Sequence, residues 1–170
     1  MLILNKSKKC YKFRMAQKSS TSSLSQNKKA FAEYEVLTKL EAGIQLSGPE
    51  VKSVRGGHAN LKGSYVEISK KGEAFTRGIH ISPYKQAANQ QKDYNPTQKR
   101  KLLLNKKEII KLEKELTAEG ITLIPLDFHL SKNHIKLEIG ICRGKKKYDR
   151  RDELKKRSQT LDIRRALKGE

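Results

Sequence analysis

The chain reads as a mainly β fold with helices: a small closed barrel carrying two or three helices and a disordered basic C-terminal tail. Three observations carry that expectation. Apolar residues recur with a period of two in five or six short segments, those segments follow one another through hairpin-like turns, and only two segments between them have the caps and period of a helix. A doubly wound parallel sheet needs long crossovers between paired strands, so a succession of hairpins favours the barrel.

Taken in order, Glu33–Lys39 alternates through Tyr34, Val36 and Thr38, and Ile44–Leu46 resumes beyond Ala42-Gly43, which predicts a strand softened by a glycine bend. Ser47-Gly48-Pro49-Glu50 then sets a capping serine three residues before a glutamate, with proline in the first turn where its missing N–H costs nothing. Gly56-Gly57 ends that helix, whose Val51 and Val54 face inward. Leu61–Ser69 and Glu73–Ile81 have strand character on either side of Lys70-Lys71-Gly72, a hairpin. Ser82–Lys99 holds Pro83, Pro96 and many amides and reads as a long surface loop. Asn105 caps a second helix with Glu108 at its third position, Ile109, Leu112 and Leu116 on one face, and Gly120 past its end. Ile121–Leu126, Asp127–Leu130 and Ile135–Cys142 supply the last strands across a Ser131–His134 turn. An OB-like barrel fits this order, and that fold presents a curved face and loops suited to oligonucleotides.

The charge is distributed unevenly. Lys plus Arg number 38 against 18 Asp plus Glu in 170 residues, a net +20. Residues 1–32 hold eight basic residues and no acid, and residues 143–170 hold twelve basic against five acidic. Arms of this composition cannot bury enough apolar surface to offset an ordering cost of roughly 1–2 kcal/mol per residue, so they are expected to stay disordered until a polyanion neutralises them. The boundaries that follow are a disordered basic leader over 1–26, a folded unit over 27–142 and a basic tail over 143–170. Ser19–Ser25 reads as a flexible linker, and Met15 offers a second start that would leave 1–14 untranslated. No apolar run approaches the ~18 residues of a membrane helix. Cys10 and Cys142 stand far apart without companions at ligand spacing, which points away from a disulfide framework or zinc module and toward a reducing, cytoplasmic setting.

Five blocks occur in order: Asn27-Lys28-Lys29-Ala30, the run from Glu41 to Ile68, His80-Ile81-Ser82-Pro83-Tyr84, the run from Asn95 to Ile109 with Lys-Arg-Lys-Leu-Leu-Leu at its centre, and Gly144-Lys145-Lys146-Lys147-Tyr148-Asp149-Arg150-Arg151. Together they resemble the SsrA-binding protein family, SmpB, over about Asn27–Leu167. The resemblance implies a non-enzymatic adaptor without cofactor or metal. Such an adaptor binds the tRNA-like part of transfer-messenger RNA, works as a monomer on it, and brings it to stalled ribosomes. There the basic tail enters the empty messenger channel, and no membrane is involved.

Carried over by the same resemblance, Asn27, Glu41 and Leu103 hold the RNA, with Arg55, Arg100 and Lys101 as nearby basic candidates. Read alone, Glu41 is either a solvated strand-end acid or an acceptor for base amino and ribose hydroxyl groups, since a carboxylate has no use for phosphate. Alternation through Leu102-Leu103-Leu104 turns Leu103 outward, where it can pack on an unstacked base. In the tail, Tyr148 stands as a stackable ring among Lys145, Lys146, Lys147, Asp149, Arg150 and Arg151. Leu154, Ser158, Leu161 and Arg165 form a thin helical stripe, and Lys155, Lys156 and Arg157 beside it can neutralise phosphates once the tail is held.

Three departures from the family pattern bear on these roles. Phe31 and Ala32 stand where basic residues or histidine are usual, Asn95 stands for an acid, and Arg143 and Arg150 replace lysines. An enzyme would need a convergent constellation, and His58, His80, His129 and His134 are scattered. The competing class is another RNA-binding module, such as a ribosomal protein or assembly factor, followed by a nuclease.

Overall fold

The computed structural model describes residues 23–90 and 93–146 and, of the tail, Tyr148, Ser158, Gln159, Asp162 and Ile163. It begins with β1 (Ser23–Gln26), α1 (Lys28–Glu33) and the long β2 (Tyr34–Ile44), then α2 (Gly48–Arg55). Four short strands follow, β3 (Ala59–Asn60), β4 (Tyr65–Ser69), β5 (Glu73–Arg77) and β6 (His80–Ile81). A 3-10 segment, Lys85–Gln90, precedes β7 (Arg100–Leu103), α3 (Lys106–Leu116), β8 (Ile121–Ser131) and β9 (His134–Gly144).

Both expected helices form where their caps place them. Glu50 Oε2 accepts the Ser47 N–H at 2.8 Å at the head of α2, and Glu108 Oε2 accepts the Asn105 N–H at 2.8 Å at the head of α3. Each carboxylate satisfies one donor that the first helical turn leaves open. Val54 and Leu112 are the residues these helices bury in the main core. The turn between β8 and β9 is two residues long, with Lys132 (φ 46°) and Asn133 (φ 68°) both left-handed, the form whose twist matches an antiparallel pair.

Every pair is antiparallel, and among the described residues seven strands join in the order β1-β8-β9-β2-β7-β5-β4, with β3 and β6 a separate pair. The inner face carries Ala42, Leu123, Phe128, Leu137, Ile139 and Ile141, all buried, and α3 lies against it through Leu112. The fold is thus mainly β with a few helices, as expected, but the barrel does not close. The terminal strands β1 and β4 do not pair with each other, although β4 packs against β8 and the sheet therefore curls back on itself. Closure would need a strand beside β4 in register. β1 has only four residues, all spent along β8, and β3–β6 pairs apart.

Two elements were not expected. Ser23–Gln26, which reads as the end of a flexible leader, is a strand paired with β8. Lys28–Glu33 is a helix of six residues, too short to show a period. At the other end, β9 continues two residues beyond Cys142 and the Lys145 N–H bonds Glu33 O at 3.0 Å, so the folded unit extends to Lys145. Among the described residues no helix is long and apolar enough to cross a membrane.

Candidate nucleic-acid interface

The outer face of the long strands changes character along its length. At one end Ala30 of α1 packs with Ile124, Leu126 and Cys142, and Phe31, Tyr34 and Val36 complete a second, smaller core. Burial there pushes the Cys142 thiol up to about 11, so it stays protonated and packs as an apolar group. Register shifts in β2 at Val36/Thr38 and in β8 at Pro125/Asp127 mark where this cover ends.

Beyond those bulges the same face is open. Pairing of Leu103 with Gly43, Gly43 with Lys136 and Lys136 with His129 puts these four in one row across β7, β2, β9 and β8. The next row is Glu41, Glu138 and Asp127. Glu41 crosses β9 diagonally: its Oε2 lies 2.9 Å from His129 Nε2, and its Oε1 lies 3.8 Å from Lys136 Nζ. His129 Nδ1 faces Asp127 Oδ2 at 3.9 Å, Ser23 donates to Asp127 at 2.5 Å, and Lys39 pairs with Glu138 at 2.9 Å. Burial raises the Asp127 carboxyl above its ordinary value despite the bond from Ser23. Leu103 is 58% exposed, whereas Leu102 is buried, as the alternation predicts. A Cβ on Gly43 would meet Leu103 Cβ at 3.1 Å, so the absent side chain is what lets Leu103 lie down beside Glu41's strand. The result is a notch with an apolar ledge on one side and an acceptor oxygen on the other.

Other expected RNA contacts fall elsewhere. Arg100, 3% exposed, points inward from β7 and is a structural residue. Its guanidinium meets Glu50 Oε1 through Nε at 2.8 Å and Nη2 at 2.7 Å, and also donates to Ile79 O, Pro96 O and Gln98 O. Tyr94 and Gln98 donate to the same Glu50 oxygen. Burial acts to raise the Glu50 carboxyl, but the bonds from Ser47, Gln98 and Arg100 outweigh it and hold it below the usual range. This network pins the segment before β7 to α2. Asn27 is buried too: its amide donates to Leu61 O at 2.9 Å and Pro125 O at 3.0 Å, and its oxygen accepts the Ala30 N–H at 3.1 Å. Both amide donors are used inside the fold. Arg55 is exposed and bonds Asn133 O at 2.8 Å, while Lys101 is paired with Glu73.

A groove of about 430 Å³ is lined by Gln26, Asn27, Lys28, Lys29, Asn60 and Lys62. Three lysines and three amides suit a phosphate-bearing strand. Of the tail, Tyr148 is 71% exposed, and the described residues Ser158, Gln159, Asp162 and Ile163 have helical backbone. Lys145 also donates to Phe31 O at 3.2 Å. The roles expected for Lys147, Asp149, Arg150, Arg151, Lys155, Lys156 and Arg157 lie outside the described residues, and Lys146 is exposed.

Sequence reading missed Gly43, Lys136 and His129 as members of the notch. Outward alternation on β8 and β9 signals Lys136 and His129 individually, but only the register brings them to Glu41. Among the described residues no cluster of three or more His, Cys, Asp or Glu is placed to hold a metal ion.

A strongly basic, sheet-based module with an open polar face, an outward leucine and a lysine-lined groove belongs to the class of RNA-binding β proteins. A family model described as "SmpB protein" matches residues 24–169, and the chain belongs to that family. It is 44% identical over 147 residues to the SsrA-binding protein of Desulfitobacterium hafniense (strain DSM 10664 / DCB-2), covering 86% of this chain and 92% of the relative. The SsrA-binding protein of Staphylococcus aureus (strain Newman) is 42% identical over 155 residues, 91% of this chain and 99% of the relative. Among solved structures, a chain described under "tmRNA-SmpB: a journey to the center of the bacterial ribosome" aligns with a TM-score of 0.60 at 36% identity, covering 72% of this chain and 84% of that one.

Proposed function

We propose that the chain is the RNA-binding adaptor of trans-translation: it binds the tRNA-like domain of transfer-messenger RNA and delivers it to stalled ribosomes for tagging and release of the nascent chain. The observation that carries this reading is the family match over residues 24–169, joined by the likeness to a chain of the tmRNA-SmpB structure. It assigns no reaction to the protein. The curled sheet is read as an OB-like RNA-binding unit, working as a monomer in the cytoplasm, with the basic tail entering the empty messenger channel around Tyr148. Within the unit, Glu41 and Leu103 meet unstacked nucleotides at the notch, Arg55 and Lys101 serve as further basic contacts away from it, and Lys28, Lys29 and Lys62 follow the phosphates.

The test is competition at about physiological salt between labelled tRNA-like-domain RNA and excess ordinary tRNA or random RNA of equal length. Strong preference for the tRNA-like domain is expected, and equal competition by all three leaves only a generic polyanion binder. Because Lys145 bonds α1, truncation belongs after Lys146. That variant should keep its RNA affinity and lose tagging on the ribosome.

A further inference from the structure

Glu41 is a long side chain half exposed on a sheet, and such a group in water samples several rotamers before any partner arrives. Fixing it costs side-chain conformational freedom. Here one oxygen is already held. His129 is only 10% exposed in its side chain, and its Nε2 lies 2.9 Å from Glu41 Oε2. An ionised carboxylate only accepts, so Nε2 carries the proton and donates. The ring is set in turn by its place in β8, by Asp127 on its other nitrogen side at 3.9 Å, and by Ser23 holding Asp127. Oε1 is left toward Lys136 at 3.8 Å and toward solvent.

We infer that His129 is a positioning residue for RNA binding, holding Glu41 so that its second oxygen is fixed beside Leu103 to accept from a ribose hydroxyl or a base amino group. The inference rests on the reading that Glu41 contacts RNA. It makes the site selective for hydrogen-bond donors over phosphate, and it makes β1, through Ser23, part of the site's support. Preorganisation of this kind raises affinity without adding a contact.

The test is a double-mutant cycle on the full chain, reading affinity for tRNA-like-domain RNA at fixed salt. His129→Phe, which fills the space without a donor, should weaken binding about fivefold, and His129→Gln, which keeps an N–H donor, should recover most of that. In a Glu41→Ala background the His129→Phe loss should vanish, because nothing remains to be positioned. The salt slope should not change, since no phosphate contact is removed. His129→Leu serves the same cycle should the phenylalanine variant fail to fold. Equal losses in both backgrounds would mean that His129 acts through the fold, and an intact affinity in His129→Phe beside a weakened Glu41→Ala would equally overturn the inference. If Glu41→Ala itself binds normally, the RNA role of Glu41 fails and the inference falls with it.

Discussion

The covered and open ends of the same sheet face use the same three strands for opposite purposes. Along β9 the outward residues run Lys136, Glu138, Gly140, Cys142, and along β2 they run Gly43, Glu41, Lys39 and then, past a bulge, Val36 and Tyr34. One end is roofed by α1 and sealed with apolar side chains, and the other is left to polar groups that tie one another down. The lesson is that a strand's alternation fixes the face a residue is on, while what covers that face decides whether the position is core or site. Both bulges fall near the level where the roof stops, where an extra residue lets each strand change what it presents.

The sharpest way to break the contrast is to truncate one apolar side chain at each end. Leu126→Ala, in the sealed end where Leu126 is fully buried, should cost about 2–5 kcal/mol of stability by denaturant unfolding and leave RNA affinity unchanged in the folded protein. Leu103→Ala, at the open end, should shift stability by no more than about 0.5 kcal/mol and weaken tRNA-like-domain binding roughly fivefold. A large stability loss there would mean that the ledge is core after all. Gly43→Ala is subtler. The new methyl presses on Leu103 at 3.1 Å, so a twofold to threefold loss of RNA affinity is expected, on the order of half a kcal/mol, while relief of glycine's backbone entropy keeps the unfolding midpoint nearly constant.

The smallest effect lies in acid. Asp127 at the open end has a folded-state value raised by burial above 3.8, so the folded protein binds its proton more readily than the unfolded chain. Its contribution is most favourable below the unfolded value and is lost as pH rises through the folded one. Asp127→Asn should therefore gain slightly in stability on the parent as pH rises through the carboxylate range, read as the difference between the two unfolding profiles. A variant that loses ground to the parent as pH rises would reverse the assigned sign.

Legibility followed the range of the interactions. Both longer helices could be read because Ser47 with Glu50, and Asn105 with Glu108, are signals three residues apart. The β8–β9 hairpin and the outward turn of Leu103 were equally local. β1 escaped because serines and a glutamine say nothing of β8, about a hundred positions away, and closure of the barrel was misjudged because pairing order is not written in any one segment. In the site, Glu41 and Leu103 both lie on the open face, and only the outward turn of Leu103 could be read from alternation. The inward turn of Arg100 was not legible because arginine is ordinarily exposed, and the buried carboxylate that draws it in lies 50 residues earlier in the chain. The burial of Asn27 was out of reach for a related reason: an amide among lysines suggests an exposed ligand, but three backbone groups from separate segments hold it.

Strand β9 has one further consequence. Lys136 stands at the notch and Gly144 where the tail leaves, on one continuous strand flanked by β2 and β8 on either side. At about 3.3 Å per residue, this interval sets a span of roughly 25 Å. The strand is therefore a ruler: it holds the root of the tail at a fixed distance from the surface read as binding RNA, so that a ligand at one end leaves the other free. An insertion in β9 would change that length and spoil the coordination of two partners while each still bound alone.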